Sequence, residues 1–73
     1  MITERLVAMA NQIALGVPDR RHVSEQVAVH LRSFWAPSMI DELAAYAPAH
    51  EGELQPEVLA ALAVLRPQEV SHG

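Results

Sequence analysis

Histidines are the residues of this chain best suited to binding a metal or moving a proton, and there are four: His22, His30, His50 and His72. Helical ligand pairs usually stand three or four residues apart on one face. His22 and His30 are eight residues apart, which leaves them about 80° off one another on a helix. The spacing therefore predicts no metal site. We interpret His30 as a residue at the margin of the core that packs on Phe34, with a role facing a partner as the alternative.

Other patterns that support catalysis are missing as well. The serines lack the positioned histidine that activates a nucleophile. Asp41 and Glu42 fall in the first turn of a predicted helix, where the helix dipole stabilises acids, so a solvated face explains them. The three glycines of the sequence are too far apart for a phosphate-binding loop. The sequence therefore predicts no catalytic, cofactor-binding or metal-binding residue in this chain, and no cofactor of its own.

Apolar residues recur at helical spacing along most of the chain, and no two-residue alternation typical of a strand persists. The pattern predicts helices over residues 3–16, 20–34 and 38–47, and a fourth helix that has Pro56 in its first turn and ends at Arg66-Pro67. A polar loop is expected over residues 48–53. We predict a single all-α domain, a small bundle of four short helices over residues 1–67, followed by a flexible tail over residues 68–73.

Each predicted helix has one apolar stripe and a plausible first residue. The stripes are Leu6, Met9, Ala10 and Ile13; Val23, Val27, Leu31 and Phe34; Ile40, Leu43, Ala44 and Ala47; and Leu54, Val58, Ala61, Leu62 and Leu65. Thr3, Asp19 and Ser38 are the expected N-caps of the first three helices. Asn11 and Gln12 should lie on the solvent side of the first helix.

Length and charge limit the possible partners. A 73-residue domain buries only about 60% of the surface of its unfolded chain, so a partner subunit or self-association is energetically attractive. The net charge is −4 and there is no lysine, which disfavours binding to nucleic acid or to a membrane surface. The chain has no apolar run of the ~20 residues that a membrane span needs, and its start does not resemble a secretory signal. With no cysteine, we expect a cytoplasmic protein.

The stretch HLRSFWAPSM, residues 30–39, contains the only Phe and the only Trp of the chain. Adjacent helical side chains diverge by about 100°, so both rings cannot fill one narrow seam. We predict that Phe34 fills the core and that Trp35 either covers the end of the core or anchors a partner. Trp and Arg are common binding hot spots, and the predicted partner-binding residues are His30, Arg32, Trp35, Pro37 and Met39.

Three segments together resemble the delta subunit of NAD-dependent, molybdenum-containing formate dehydrogenases. They are LVAMANQIA (residues 6–14), VAVHLRSFWAPSM (residues 27–39) and LQPEVLAALAVL (residues 54–65). Their most specific elements are Met9-Ala10-Asn11 and the run from His30 to Met39. Two positions depart from the family pattern: Ala36 stands where the family tends to have an acid, and Ser38 where it tends to have an arginine.

The resemblance implies an accessory role. Delta-type subunits carry no cofactor, whereas the molybdopterin centre, the iron–sulfur clusters and the flavin belong to larger subunits that oxidise formate and reduce NAD. The chain is thus expected to bind the larger catalytic subunit and to assist its assembly, cofactor maturation or stability. The alternative from the residues alone is a self-associating regulatory or interaction module, a homo-oligomer with no redox partner.

Overall fold

The computed structural model describes residues 2–67, which form four α-helices and no strand. Helix α1 spans Ile2–Leu15, α2 spans Val23–Phe34, α3 spans Pro37–Tyr46 and α4 spans Pro56–Leu65, with turns of 3-10 helix at Ala47–Ala49 and Glu51–Glu53. This confirms the predicted all-α bundle of four short helices. The predicted tail lies outside the described residues, so the division at residue 67 stays a prediction. No helix among those described has the length and apolar run needed to cross a bilayer.

The core lies where α2 packs along α4, while α1 contacts all three other helices. Its buried side chains are almost all aliphatic: Leu6, Val7, Ala10, Ala14, Val23, Val27, Ala28, Leu31, Trp35, Ile40, Leu43, Ala47, Leu54, Val58, Ala61 and Leu62. Every predicted stripe supplies at least two of them, which confirms the helical periodicity as the source of the core. Small alanines at several of these positions let the short helices approach one another closely.

Two positions of the predicted stripes differ from expectation. Met9 is 38% exposed and Phe34 is 76% exposed. In α1 the buried arc is turned by about 60° from the predicted stripe, towards Val7 and Ala14. Met9 consequently lies at the edge of that arc.

The helix starts show where the expected N-caps were wrong. Helix α1 begins at Ile2, so Thr3 lies inside it and its hydroxyl donates to the Glu42 carboxylate on α3. Helix α2 begins at Val23 rather than Arg20, with His22 as its N-cap residue. Asp19 accepts a hydrogen bond from the backbone N–H of Arg21, at 3.0 Å, and so stabilises the turn before α2 instead of capping the helix.

Proline determines the starts of the last two helices. Pro37 opens α3 and no side chain caps that helix, so the expected cap at Ser38 was wrong. The fixed φ of proline suits a first helical position, where its missing N–H costs nothing. Pro56 opens α4 in the same way, as predicted, and α4 ends at Leu65 before Arg66.

Candidate partner-binding surface

Phe34 is exposed, against the prediction, whereas Trp35 is buried, which agrees with one of its two predicted roles. The Trp35 side chain is 7% exposed and belongs to the core, whereas Phe34 is 76% exposed. The cause is the helical register of α2. Trp35 follows Leu31 by four residues and donates its N–H to the Leu31 carbonyl, so its side chain continues the buried face of Val27 and Leu31 into the core. Its φ of −95° and ψ of 146° are extended and end the helix at this residue. Of the two predicted roles of Trp35, covering the end of the core is confirmed and the exposed anchor is wrong, so Phe34 is the exposed ring.

Phe34 lies along an open groove of about 600 Å3 between α1, α2 and their connecting loop. We call this the α1–α2 groove. Its apolar lining consists of Ile13, Val17, Pro18, Val29 and Phe34, and its polar lining of Gln12, Asp19, Gln26 and His30 around the backbone of Gly16. Val29 is 51% exposed. The groove therefore combines a mainly apolar wall with amide groups that can donate or accept hydrogen bonds.

His30 packs on Phe34 as predicted, with the two ring centroids 4.8 Å apart and the planes tilted by 44°. The His30 side chain is partly buried. Among residues 2–67 no group of three or more acidic, histidine or cysteine side chains could hold a metal ion; His72 lies outside that range. His30 therefore supports the position of the exposed ring and lines the groove.

The other predicted partner-binding residues do not join this groove. Arg32 is exposed and follows His30 by two positions, about 200° further around the helix, so it lies on the other side of α2. Pro37 is exposed at the start of α3. Met39 is partly buried and lines a separate hollow of about 300 Å3 with Ile2 and Met9. Of the five predicted residues, only His30 lines the α1–α2 groove.

Sequence reasoning missed two exposed apolar residues, Phe34 and Val29. For Val29 the signal was present, because it falls off the stripe of Val23, Val27 and Leu31 on the polar side of α2. For Phe34 the helical spacing was misleading. Its angle fits the edge of the buried stripe, but Trp35, four residues after Leu31, continues that stripe and is the ring that is buried.

A second group of interacting side chains lies at the end of α3. The Tyr46 hydroxyl donates to Glu53 Oε1 at 2.7 Å, and the rings of Tyr46 and His50 stack with centroids 3.8 Å apart. His50 Nδ1 lies 3.0 Å from the Tyr46 carbonyl, so this nitrogen carries the proton and donates. The hydrogen bond to Glu53, followed by partial desolvation and the charges of Glu53 and Glu4, raises the pKa of Tyr46 above its ordinary value. These contacts fasten the loop after α3 and present no activated nucleophile.

Comparison with known proteins gives one family. The sequence model of a family described as the NADH-dependent formate dehydrogenase delta subunit, FdsD, matches residues 5–62, which is well over half of the chain. No curated protein and no solved structure matches the chain. The matched range begins in α1 and runs through most of α4, so it contains every residue that lines the α1–α2 groove.

Proposed function

We propose that this chain, which belongs to the family of NADH-dependent formate dehydrogenase delta subunits, is a non-catalytic accessory subunit. In this proposal it binds the larger catalytic subunit of a formate dehydrogenase complex and assists its assembly, cofactor maturation or stability. The molybdenum, iron–sulfur and flavin groups would reside in the larger subunits. We also propose a cytoplasmic location, which agrees with the cysteine-free sequence.

The observation that carries the proposal is the family match over residues 5–62. The exposed apolar surface supports it, because a phenylalanine 76% exposed beside a valine 51% exposed is stabilised when a partner removes both from water. A binding partner stabilises whichever form of a protein it prefers. An accessory subunit that binds only the mature catalytic subunit would therefore shift the population towards that form.

Affinity purification from the native host tests the proposal directly. The tagged chain, expressed at its native level, should recover the large formate dehydrogenase subunit, identified by mass spectrometry and by molybdenum and iron in the eluate. An untagged strain is the control for adventitious binding. Recovery of the tagged chain without any such subunit would contradict the proposal.

A deletion strain separates an assembly role from mere association. We expect loss of the chain to lower formate-dependent NAD reduction in extracts and to reduce the molybdenum bound per large subunit. Re-expression of the chain should restore both. If activity and molybdenum content were unchanged by the deletion, the assembly and maturation roles would be wrong even if the two proteins bind.

The second candidate function is a self-associating module without a redox partner. The observation that favours it is the same pair of exposed apolar residues, Phe34 and Val29, which a second copy could cover. Light scattering of the purified chain distinguishes the two. A tight homodimer that recovers no formate dehydrogenase subunit would favour the module, and a monomer would favour the accessory subunit.

A further inference from the structure

The α1–α2 groove has the dimensions of a site for a short helix. Along α2 its lining runs from Gln26 to Phe34, which is about 12 Å along the helix axis. That length is slightly more than two helical turns. Apolar side chains on one face of a partner helix, at positions i, i+3 or i+4, and i+7, would pack against the apolar lining that includes Val17, Val29 and Phe34.

The chemistry of the groove also favours a helix over an extended peptide. An extended peptide gains its backbone hydrogen bonds from a sheet edge, and residues 2–67 contain no strand. A helix satisfies its own backbone groups and needs only apolar contacts plus a few polar ones. Gln12, Gln26 and His30 supply those polar contacts along the apolar wall.

One end of the groove carries the carboxylate of Asp19, next to Arg20, whose Nη1 donates to the Val17 carbonyl. Among the described residues that line it, Asp19 is the one with a formal charge, and its side chain is 51% exposed. The nearby Arg21 guanidinium stands 3.5 Å away but is 85% exposed, so this pair is weakly held. His22 Nδ1 lies 3.9 Å from the other carboxylate oxygen. A cation of the partner can therefore pair with Asp19, with a gain that the adjacent Arg20 and Arg21 reduce.

From these observations we infer that the α1–α2 groove binds an amphipathic helix of the large formate dehydrogenase subunit. That helix has two to three turns, places apolar side chains against Val29 and Phe34, and carries a lysine or arginine beside Asp19. The inference rests on the proposed function and adds to it the surface and the chemistry of the partner segment.

A matched pair of variants tests the apolar part of the site. Val29→Glu places a carboxylate in the groove, and Val64→Glu makes the same change at a valine of α4 that is 64% exposed and outside the groove. Both variants should melt at the wild-type temperature. We expect Val29→Glu to reduce the recovered large subunit by more than about tenfold, as hot-spot residues do, and Val64→Glu to leave it unchanged.

A second pair tests the charge. Asp19→Asn removes the charge and keeps the side-chain oxygen that accepts the Arg21 N–H, and Glu25→Gln removes an acid that is 76% exposed and does not line the groove. We expect Asp19→Asn to weaken binding of the large subunit roughly threefold to fivefold at low salt, with the difference disappearing at high salt. Glu25→Gln should have no such salt-dependent effect.

The outcomes separate this inference from the proposed function. If the wild-type chain recovers no large subunit, the proposed function is wrong. If it does recover the subunit and Val29→Glu recovers as much, the groove is not the site and the function stands. If Val29→Glu and Val64→Glu reduce the recovered large subunit equally, the groove is likewise not the binding site. A wild-type homodimer that Val29→Glu dissociates would show that a second copy occupies the groove.

Discussion

The side chain of Asn11 is hydrogen-bonded to the backbone of Gln55 across 44 positions of sequence. Asn11 Oδ1 accepts the Gln55 N–H at 2.8 Å, and Asn11 Nδ2 donates to the Glu53 carbonyl at 2.9 Å. Both partners flank Leu54, a buried residue just before α4. The expected position of Asn11 on the solvent side of α1 was therefore wrong. Its amide instead joins α1 to the segment that leads into α4.

Asn11→Ala should destabilise the fold more than the neighbouring change Gln12→Ala. The first substitution leaves the partly buried Gln55 N–H without its partner, which costs about 1–3 kcal/mol, and also removes the exposed bond to the Glu53 carbonyl. Gln12 is exposed, so its truncation should change the free energy of unfolding by less than about 0.5 kcal/mol. Urea unfolding followed by circular dichroism measures both. Equal effects would mean that water replaces the Asn11 amide at no cost.

Trp35→Ala should lower stability far more than Phe34→Ala. Trp35 is 7% exposed, and removing a buried Trp typically costs about 3–5 kcal/mol, a large part of the stability of a small domain. Phe34 is 76% exposed, so Phe34→Ala should cost less than about 1 kcal/mol. Thermal unfolding of the two variants measures both losses of stability. Native emission of the single tryptophan should be blue-shifted, and red-shifted emission before unfolding would contradict its burial.

The helices could be predicted because the signals for them are local. Val23, Val27 and Leu31 lie on one face through their spacing alone, and Pro56 marks a helix start through its fixed φ. The start of α3 at Pro37 was within reach of the same rule, but the helix was predicted to begin one residue later, with Ser38 as its cap.

The candidate site was harder to predict because it depends on how the helices pack against one another and on where each helix ends. Phe34 fits the buried stripe by angle, yet a residue at a helix end is covered only if another element lies beyond it. The role of Asn11 depends on residues that lie 42 and 44 positions away in the sequence. The periodicity of apolar residues within a helix does not predict contacts between residues so far apart. Sequence patterns thus predict which face of a helix is buried, whereas a groove between two helices depends on how those helices pack in three dimensions.

The pH dependence of Tyr46 follows from its hydrogen bond to Glu53. The raised pKa means that the folded state keeps the phenol protonated to higher pH than the unfolded chain, in which the pKa is about 10. The stability from this bond is therefore fully present below about pH 10 and is lost as the pH rises through the folded pKa. Phenolate absorbance of the single tyrosine measures the titration.

Glu53→Gln should bring the Tyr46 titration back towards its ordinary pKa, since it removes the charged acceptor that causes most of the shift. Glu51→Gln is the matched control, because Glu51 lies in the same 3-10 turn and does not contribute to the shift. Because the glutamine oxygen can still accept the hydrogen bond, an unchanged titration in Glu53→Gln would show that the charge of Glu53 does not cause the shift.

Arg20→Ala should destabilise the chain, whereas Arg21→Ala should be nearly neutral. Arg20 Nη1 donates to the carbonyls of Ala14 and Val17, at 2.9 and 2.8 Å, and so satisfies acceptors at and just beyond the end of α1. Its loss should cost about 1 kcal/mol. Arg21 is 85% exposed and holds only a weak ion pair. Because Arg20 binds the carbonyl of Val17, which lines the α1–α2 groove, amide hydrogen exchange around Val17 should be faster in Arg20→Ala and unchanged in Arg21→Ala. Equal exchange rates in the two variants would show that Arg20 does not stabilise this part of the groove.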